Sequence, residues 1–244
     1  MPELKNSLGW QYIQKTKFRR NKIHSLKKPR ISPAGDFKSY PNSKIYILPT
    51  HLRLNVDLLS IINKRRSWRE FKDQVIPLKE LSTILWAGYG VREKRGKFYY
   101  RNVPSAGALY PIEIYIVSFN VQGLDKGIYH YFPKDHVLEL IKKGDFSNKL
   151  IYACARQDFV AKGSFTVIMS AIFRRNMAKY GHRGLRYILL DAGHIAQNMI
   201  LAGEAMSLGS CPVGAFFDDE VNQLVGLDGV EESVVYMVVF GKKV

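Results

Sequence analysis

Cysteine is scarce. Cys154 and Cys211 stand far apart among 244 residues with no Cys-x-x-Cys pair, so the chain offers neither zinc-site spacing nor a disulfide framework, and a reducing compartment fits it best. Met1-Pro2-Glu3-Leu4-Lys5-Asn6 lacks the apolar core of a signal peptide. The longest apolar stretch, Tyr187 to Leu208, is interrupted by Asp191, His194, Gln197, Asn198 and Glu204, too many polar groups for a bilayer span. A cytoplasmic protein without a membrane partner is therefore expected. Other motifs are also missing. Gly88-Tyr89-Gly90 has neither the third glycine nor the preceding strand of a dinucleotide fingerprint. Pro104-Ser105-Ala106-Gly107 is no Gly-x-Ser-x-Gly elbow. His130, His136, His182 and His194 lack the spacing and carboxylate partners of a metal centre, so no metal is expected.

Acidic residues are few as well, 21 against 37 Lys and Arg, for a formal charge of +16. Such an excess raises nucleic acid or an anionic surface as a partner, but its distribution argues otherwise. Residues 1–50 hold eleven Lys or Arg against Glu3 and Asp36, so +9 of the +16 belongs to an N-terminal arm. With Lys15, Lys17, Arg19, Arg20, Lys22, Lys27, Lys28 and Arg30, turn formers at Ser32-Pro33-Ala34-Gly35, and no sustained apolar period before Ile45, the arm reads as largely extended over a surface. Residues 51–244 form the domain. The arm's charges are not interleaved with an aromatic stacking platform or a recognition helix, so a nucleic-acid-binding module is a remote alternative and no nucleic acid is expected.

With 46% hydrophobic residues the chain can bury a substantial core. A helix is predicted over Val56 to Lys64 and another after Pro77, where apolar Leu78, Leu81, Ile84, Leu85 and Tyr89 make one buried stripe. Gly88 to Lys97 reads as a loop. Strands are predicted at 112–117, 127–132, 137–141, 165–172 and 233–240, where β-branched and aromatic residues cluster between turn signals. Gly184 to Leu208 reads as a central helix, apolar nearly all round, with Asp191, His194 and Asn198 as a thin polar stripe and Gly209 as its terminator. Helices and strands without a βαβ rhythm indicate an α+β fold.

The densest charge cluster is Arg65-Arg66-Ser67-Trp68-Arg69, directly after the first of these helices. Guanidinium is a planar, permanently charged fork that matches a phosphate's paired oxygens, so several from one short segment suit a phosphorylated ligand. A solvated basic helix end offsetting the macrodipole accounts for the same residues.

Five strings in order carry a resemblance: Arg65 to Phe71, Pro104 to Pro111, Lys179-Tyr180-Gly181-His182-Arg183, Asp191 to Asn198, and Pro212-Val213-Gly214-Ala215-Phe216-Phe217-Asp218-Asp219. Together they resemble the flavin-dependent nitroreductase superfamily and, within it, the SagB/McbC-type dehydrogenases, from about Asn55 to the C-terminus. The resemblance implies an antiparallel or mixed central sheet flanked by helices, in an intertwined homodimer with FMN at the subunit interface. By the same carry-over Arg65, Arg66, Ser67 and Arg69 hold the FMN phosphate, and Pro104, Ser105, Ala106 and Gly107 lie against the flavin ring. Gly214 and Ala215 lie near flavin N5, and Lys242 or Lys243 reaches the phosphate. Gln157 matches a flavin-side glutamine, with an ordinary helix-end glutamine as the other reading.

Azoline-oxidising relatives carry a Lys-Tyr pair at the place of Lys179-Tyr180. Removing two hydrogens from an azoline sends a hydride to flavin and a proton to a base, and a lysine acting near neutrality needs its pKa lowered. Arg175, Arg183 and Arg186 are close enough in sequence to repel its charge. A surface Lys-Tyr in a basic turn remains the alternative. The resemblance thus implies an FMN-dependent oxidoreductase acting on a small-molecule or modified-peptide substrate, with azoline to azole oxidation as one possibility. An NAD(P)H-dependent nitro or quinone reductase is the alternative.

Overall fold

A computed structural model describes residues 2–20 and 30–244. In chain order the elements are α1 (Pro2–Asn6), α2 (Leu8–Lys15), β1 (Ile45–Ile47), α3 (Leu58–Lys64), β2 (Phe71–Lys72), α4 (Leu78–Tyr89), β3 (Val91–Arg95), β4 (Phe98–Arg101), β5 (Ile112–Ser118), β6 (Gly127–Phe132), β7 (Val137–Lys143), α5 (Ser147–Ala153), α6 (Phe159–Lys162), β8 (Phe165–Ile172), α7 (Phe173–Tyr180), α8 (Gly184–Ala205), β9 (Leu208–Val213), α9 (Asp218–Val225) and β10 (Glu232–Lys243). Eight strands form one antiparallel sheet in the order β1-β7-β6-β5-β8-β10-β2, with β9 also paired to β10. This is an α+β architecture.

The sheet is covered on both faces. Ile112, Ile114 and Ile116 of β5 share one core with Leu81, Ile84 and Leu85 of α4 and with Ile188, Ile195 and Met199 of α8. Tyr115 and Val117 point the other way, into a second core with Leu150 of α5, Val160 of α6 and Val221 of α9. The period of two along β5 thus feeds two cores. No helix among the described residues is long and apolar enough to cross a membrane.

Four local expectations change. The arm is not simply extended. Ser7 caps α2 by accepting the Trp10 amide, and Arg183 and Arg186 donate to the C-terminal carbonyls of Thr16 and Ile13, satisfying acceptors that the short helix leaves unpaired. Ile45–Ile47 pairs with β7, so the arm also supplies an edge strand. Lys22, Lys27 and Lys28 lie outside the described residues. The charged run at 92–97 is half of a hairpin, β3 pairing with β4, because the Gly96-Lys97 turn lets the two halves fold together. Lastly, α8 ends at Ala205, and Gly209 belongs to β9. A Cβ there would stand 3.0 Å from Trp68 Cβ, so that glycine permits close packing and does not terminate the helix.

A buried charge network lies on the second face of the sheet. His130 is fully buried, with Nδ1 2.7 Å from Glu139 and Nε2 2.8 Å from Glu113, and Arg175 holds the other Glu113 oxygen at 2.5 Å. His130 therefore does have carboxylate partners. They come from neighbouring strands, β5 and β7, whose register the sequence alone does not display. Burial by itself lowers the His130 pKa, but the two carboxylates outweigh it and hold the value above the usual 6.5. Burial pushes Glu113 up, and Arg175 and His130 overcome that, drawing it from 4.5 to about 2. A raised histidine pKa stabilises the fold fully below 6.5, and the contribution is lost as pH climbs through the folded value. The depressed Glu113 contributes above pH 4.5 and is lost toward about pH 2. Replacing His130 by Phe leaves two buried carboxylates short of a partner, and the expected cost is about 3–5 kcal/mol. Urea unfolding of both proteins across pH 5 to 9 measures this. The gap between them should narrow as pH rises, and a gap that widens contradicts the assignment.

Candidate functional site

The residues singled out by sequence fall into two groups. The first surrounds the end of α3. Asp57 caps that helix by accepting the Ser60 amide at 2.6 Å, and at Arg65 the chain turns extended. Ser67 then forms a parallel bridge to Ser210, and the Trp68 amide donates to the Ser210 carbonyl at 2.8 Å. Arg65 is half-buried, while Arg66, Ser67 and Arg69 are exposed. The Arg69 guanidinium lies 5.7 Å from the Phe159 ring centre. Burial pushes the Cys211 thiol up and nearby Arg69 pulls it back. Among the described residues none of these three arginines pairs with a carboxylate. Guanidiniums without a carboxylate partner on one short segment beside a strand suit an anionic ligand.

Gly214 and Ala215, both exposed, follow directly on the end of β9 at Val213. Gln157 donates to the Ala215 carbonyl at 2.8 Å and to the Cys154 carbonyl at 2.9 Å. It thus fixes the turn after β9 and is more than a free helix-end amide. The lysines of β10 are occupied. Lys242 is bound by Glu80 at 2.9 Å and Lys243 by Glu204 at 2.7 Å, with the Lys243 ammonium 5.3 Å from the Trp68 ring centre.

The second group brings the Pro-Ser loop against the Lys-Tyr pair. Gly107 sits at φ +67°, and a Cβ there would lie 2.6 Å from the Tyr180 hydroxyl and 2.8 Å from Lys179 Nζ. Glycine is needed at this position for both its dihedral and the close approach. Ala106 and Gly107 belong to a short 3-10 turn between Pro104-Ser105 and Leu109. Ser105 Oγ donates to Asp191 at 2.5 Å and accepts the Tyr110 amide at 3.0 Å, closing that turn. Lys179 is exposed and Tyr180 half-buried, with the Tyr180 ring edge-on to Tyr187 at 5.1 Å.

The arginines expected to repel Lys179 are committed elsewhere. Arg175 turns inward to Glu113, Tyr110 and Gly35, and Arg183 and Arg186 clasp residues 13–16. Their side chains follow tertiary acceptors and not sequence proximity. Asp191 is the residue that sequence reasoning missed as part of the site. Burial pushes its carboxyl up to about 6, and the Ser105 hydrogen bond opposes the shift. Its signal was present as one acid on an apolar helix, but the partner lies 86 positions away. A surface cleft of about 550 Å³ between α5 and α9, lined by Lys142, Tyr152 and Gln223, shares no residue with either group.

The Nitroreductase family profile matches residues 62–242. A Methanocaldococcus jannaschii protein named as a nitroreductase is 36% identical over 189 residues, covering 78% of this chain and 92% of its own. The microcin B17-processing protein McbC of Escherichia coli is 30% identical over 134 residues, 52% of this chain and 49% of McbC. The chain thus spans about half the length of that relative. Among solved structures, a protein of Anabaena variabilis named as a nitroreductase superposes with a TM-score of 0.72 at 27% identity, covering 91% of this chain and 46% of its own. The profile over residues 62–242 and the 36%-identical relative together place the chain in the nitroreductase family.

Proposed function

We propose that this oxidoreductase is FMN-dependent and of the SagB/McbC type, moving two electrons between flavin and a small or peptide-borne substrate, with azoline to azole oxidation as the candidate reaction. The observation that carries the proposal is the packing of Gly107 against Tyr180 Oη and Lys179 Nζ. It sets a titratable pair against the loop that would face a flavin ring. Bound FMN would supply the two-electron acceptor or donor. The protein supplies the rest.

Arg65, Arg66 and Arg69, with the Ser67 hydroxyl, hold the phosphate as charge-assisted donors. Gly214 and Ala215 present backbone amides one strand-length away, and Pro104 to Gly107 offer small residues to a flat ring. Lys179 or Tyr180 takes the proton that the substrate loses. Lys242 serves the phosphate only by leaving Glu80, and Lys243 only by leaving Glu204. The likeness to a microcin-processing protein supports a peptide-borne substrate.

Among the described residues the two groups share no hydrogen bond, and α8 exposes Leu189 and Leu190 at 51% and 58% along with Gly193, His194 and Gln197. Exposed leucines on a central helix need a cover. A second copy provides it and completes the flavin site at the interface, with no nucleic acid or membrane required. The NAD(P)H-dependent nitro or quinone reductase reading is favoured by the relative named as a nitroreductase, which aligns over nearly its whole length.

Replacing Arg65 and Arg69 together by Ala should give colourless protein, and stoichiometric FMN in that variant would end the phosphate assignment. Lys179→Ala should keep its flavin and lose turnover by about 10²–10⁴-fold, as removal of a general base does. Gly107→Ala should displace the Lys-Tyr pair and cost only about 1–2 kcal/mol of stability from the left-handed dihedral, so turnover falls far more than the melting temperature. Adding NADPH or NADH to the yellow protein under nitrogen separates the two readings: bleaching selects the reductase, and persistent colour selects the dehydrogenase. Light scattering should report a dimer, and Leu190→Arg a flavin-poor monomer.

A further inference from the structure

Asp191, inside α8, is 4% exposed. Among the described residues it has no ion pair, and its one hydrogen-bond partner is the neutral Ser105 hydroxyl at 2.5 Å. A buried carboxylate without a cation is costly, and an uncharged side chain of similar size would avoid the cost. Burial accordingly holds the carboxyl high, at about 6, against the pull of the Ser105 hydrogen bond. The apolar packing of α8 gains nothing from such a charge, so its benefit lies with Ser105.

Ser105 opens a strained turn. Gly107, Ala108 and Tyr110 have φ of +67°, +53° and +43°, and the last two carry a Cβ into the left-handed region, where it crowds the following carbonyl oxygen. Strain of this kind persists only where the surroundings over-determine it. Here the restraints converge on Ser105. Its carbonyl accepts the Ala108 amide at 3.0 Å, its Oγ accepts the Tyr110 amide at 3.0 Å, and its hydroxyl proton goes to Asp191. At the far end the Tyr110 carbonyl is held by Arg175 at 3.2 Å. A hydroxyl has one proton and two lone pairs, and an ionised carboxylate can only accept. Asp191 therefore draws the proton to itself and leaves a lone pair for the Tyr110 amide. An asparagine would be free to turn its NH2 toward Ser105 and release that proton to swing at Tyr110.

We infer that Asp191 is a positioning residue for the site, acting through Ser105: its carboxylate fixes the Ser105 hydroxyl rotor, and the rotor holds residues 105–110 in the left-handed turn that sets Gly107 against Lys179 and Tyr180. Gly107 is where the restraint is delivered, since no room for a Cβ remains between it and the Tyr180 hydroxyl or Lys179 Nζ. A turn that relaxed toward ordinary dihedrals would carry Gly107 away from both. In assigning this a part in the reaction, the inference rests on the reading of Lys179-Tyr180 as the reacting pair and of the turn as the neighbour of a flavin ring.

Hydrogen–deuterium exchange of the full-length protein at about pH 8, where Asp191 is ionised, tests this, because it reads the turn directly and without turnover. In Asp191→Asn the amides of residues 106–110 should exchange about tenfold faster or more, while those of β8 keep the wild-type rate. The melting temperature should stay level or rise, since the change removes a buried charge without a cation; a residue that served packing alone would lower it. Ser105→Ala should speed the same amides, and Asp191→Asn added to Ser105→Ala should speed them no further. In flavin-loaded protein, Asp191→Asn should retain FMN with an altered visible circular dichroism. Turn amides at the wild-type rate in either single variant, a lowered melting temperature of Asp191→Asn, additive effects of the two changes, or an unchanged dichroism of bound FMN overturns the inference. The flavin reading stands or falls separately: wild-type protein that takes up no FMN would end that reading and leave amide exchange and melting to decide the role of Asp191.

Discussion

One guanidinium ties the parts of this molecule together. Arg175 of α7 donates to Glu113 of β5 at 2.5 Å, to the Tyr110 carbonyl at 3.2 Å and to the Gly35 carbonyl at 2.7 Å. It thereby joins the sheet, the loop that carries Ser105 and Gly107, and the strap from the arm. Lys179 follows four residues later on the same short helix. An eight-residue helix has little stability of its own, so the position of Lys179 depends on how firmly Arg175 anchors it.

The anchor exists because the central strands are buried on both faces. Glu113 is forced inside with them, and an unpaired buried carboxylate would be very costly. Arg175 and His130 resolve this from opposite sides, and His130 transmits the charge to Glu139 of β7. Glu139 in turn accepts the Tyr40 amide at 2.9 Å, and Lys38 pairs with Glu232 at 2.6 Å. The segment from Gly35 to Tyr40 is therefore held by the sheet's own buried charge, although the sequence shows it only as a polar stretch ahead of the domain.

Much of the scaffold was legible. The strands at 112–118, 127–132, 137–143 and 165–172 announce themselves by alternation and β-branching, and the apolar stripe of α4 by its helical period. The misreadings share a cause. The hairpin of β3 and β4 is charged on its exposed faces and so has loop composition. The helix α2 is supported by arginines about 170 positions away. A glycine after a helix usually ends it, whereas the role of Gly209 is set by Trp68 across the strand pair. In the site, the arginine cluster and the Pro-Ser and Lys-Tyr strings stood out as residue types in order. Asp191 did not, since an acid on an apolar helix carries no local mark of its partner.

By itself the sequence determined the chemistry on offer and the elements that bear it: a block of guanidiniums after a helix, small residues in one loop, a lysine beside a tyrosine, and strands rich in β-branched residues. These depend on local composition and on periods of 2 and 3.6, which neighbouring residues express directly. Only the tertiary structure decided that Gly107 lies against Lys179 and Tyr180, that Ser105 is held by Asp191, and that His130 bridges two glutamates. Each of those arises from strand register and from the packing of helices across a sheet, where partners distant in the chain meet because both must be removed from water together.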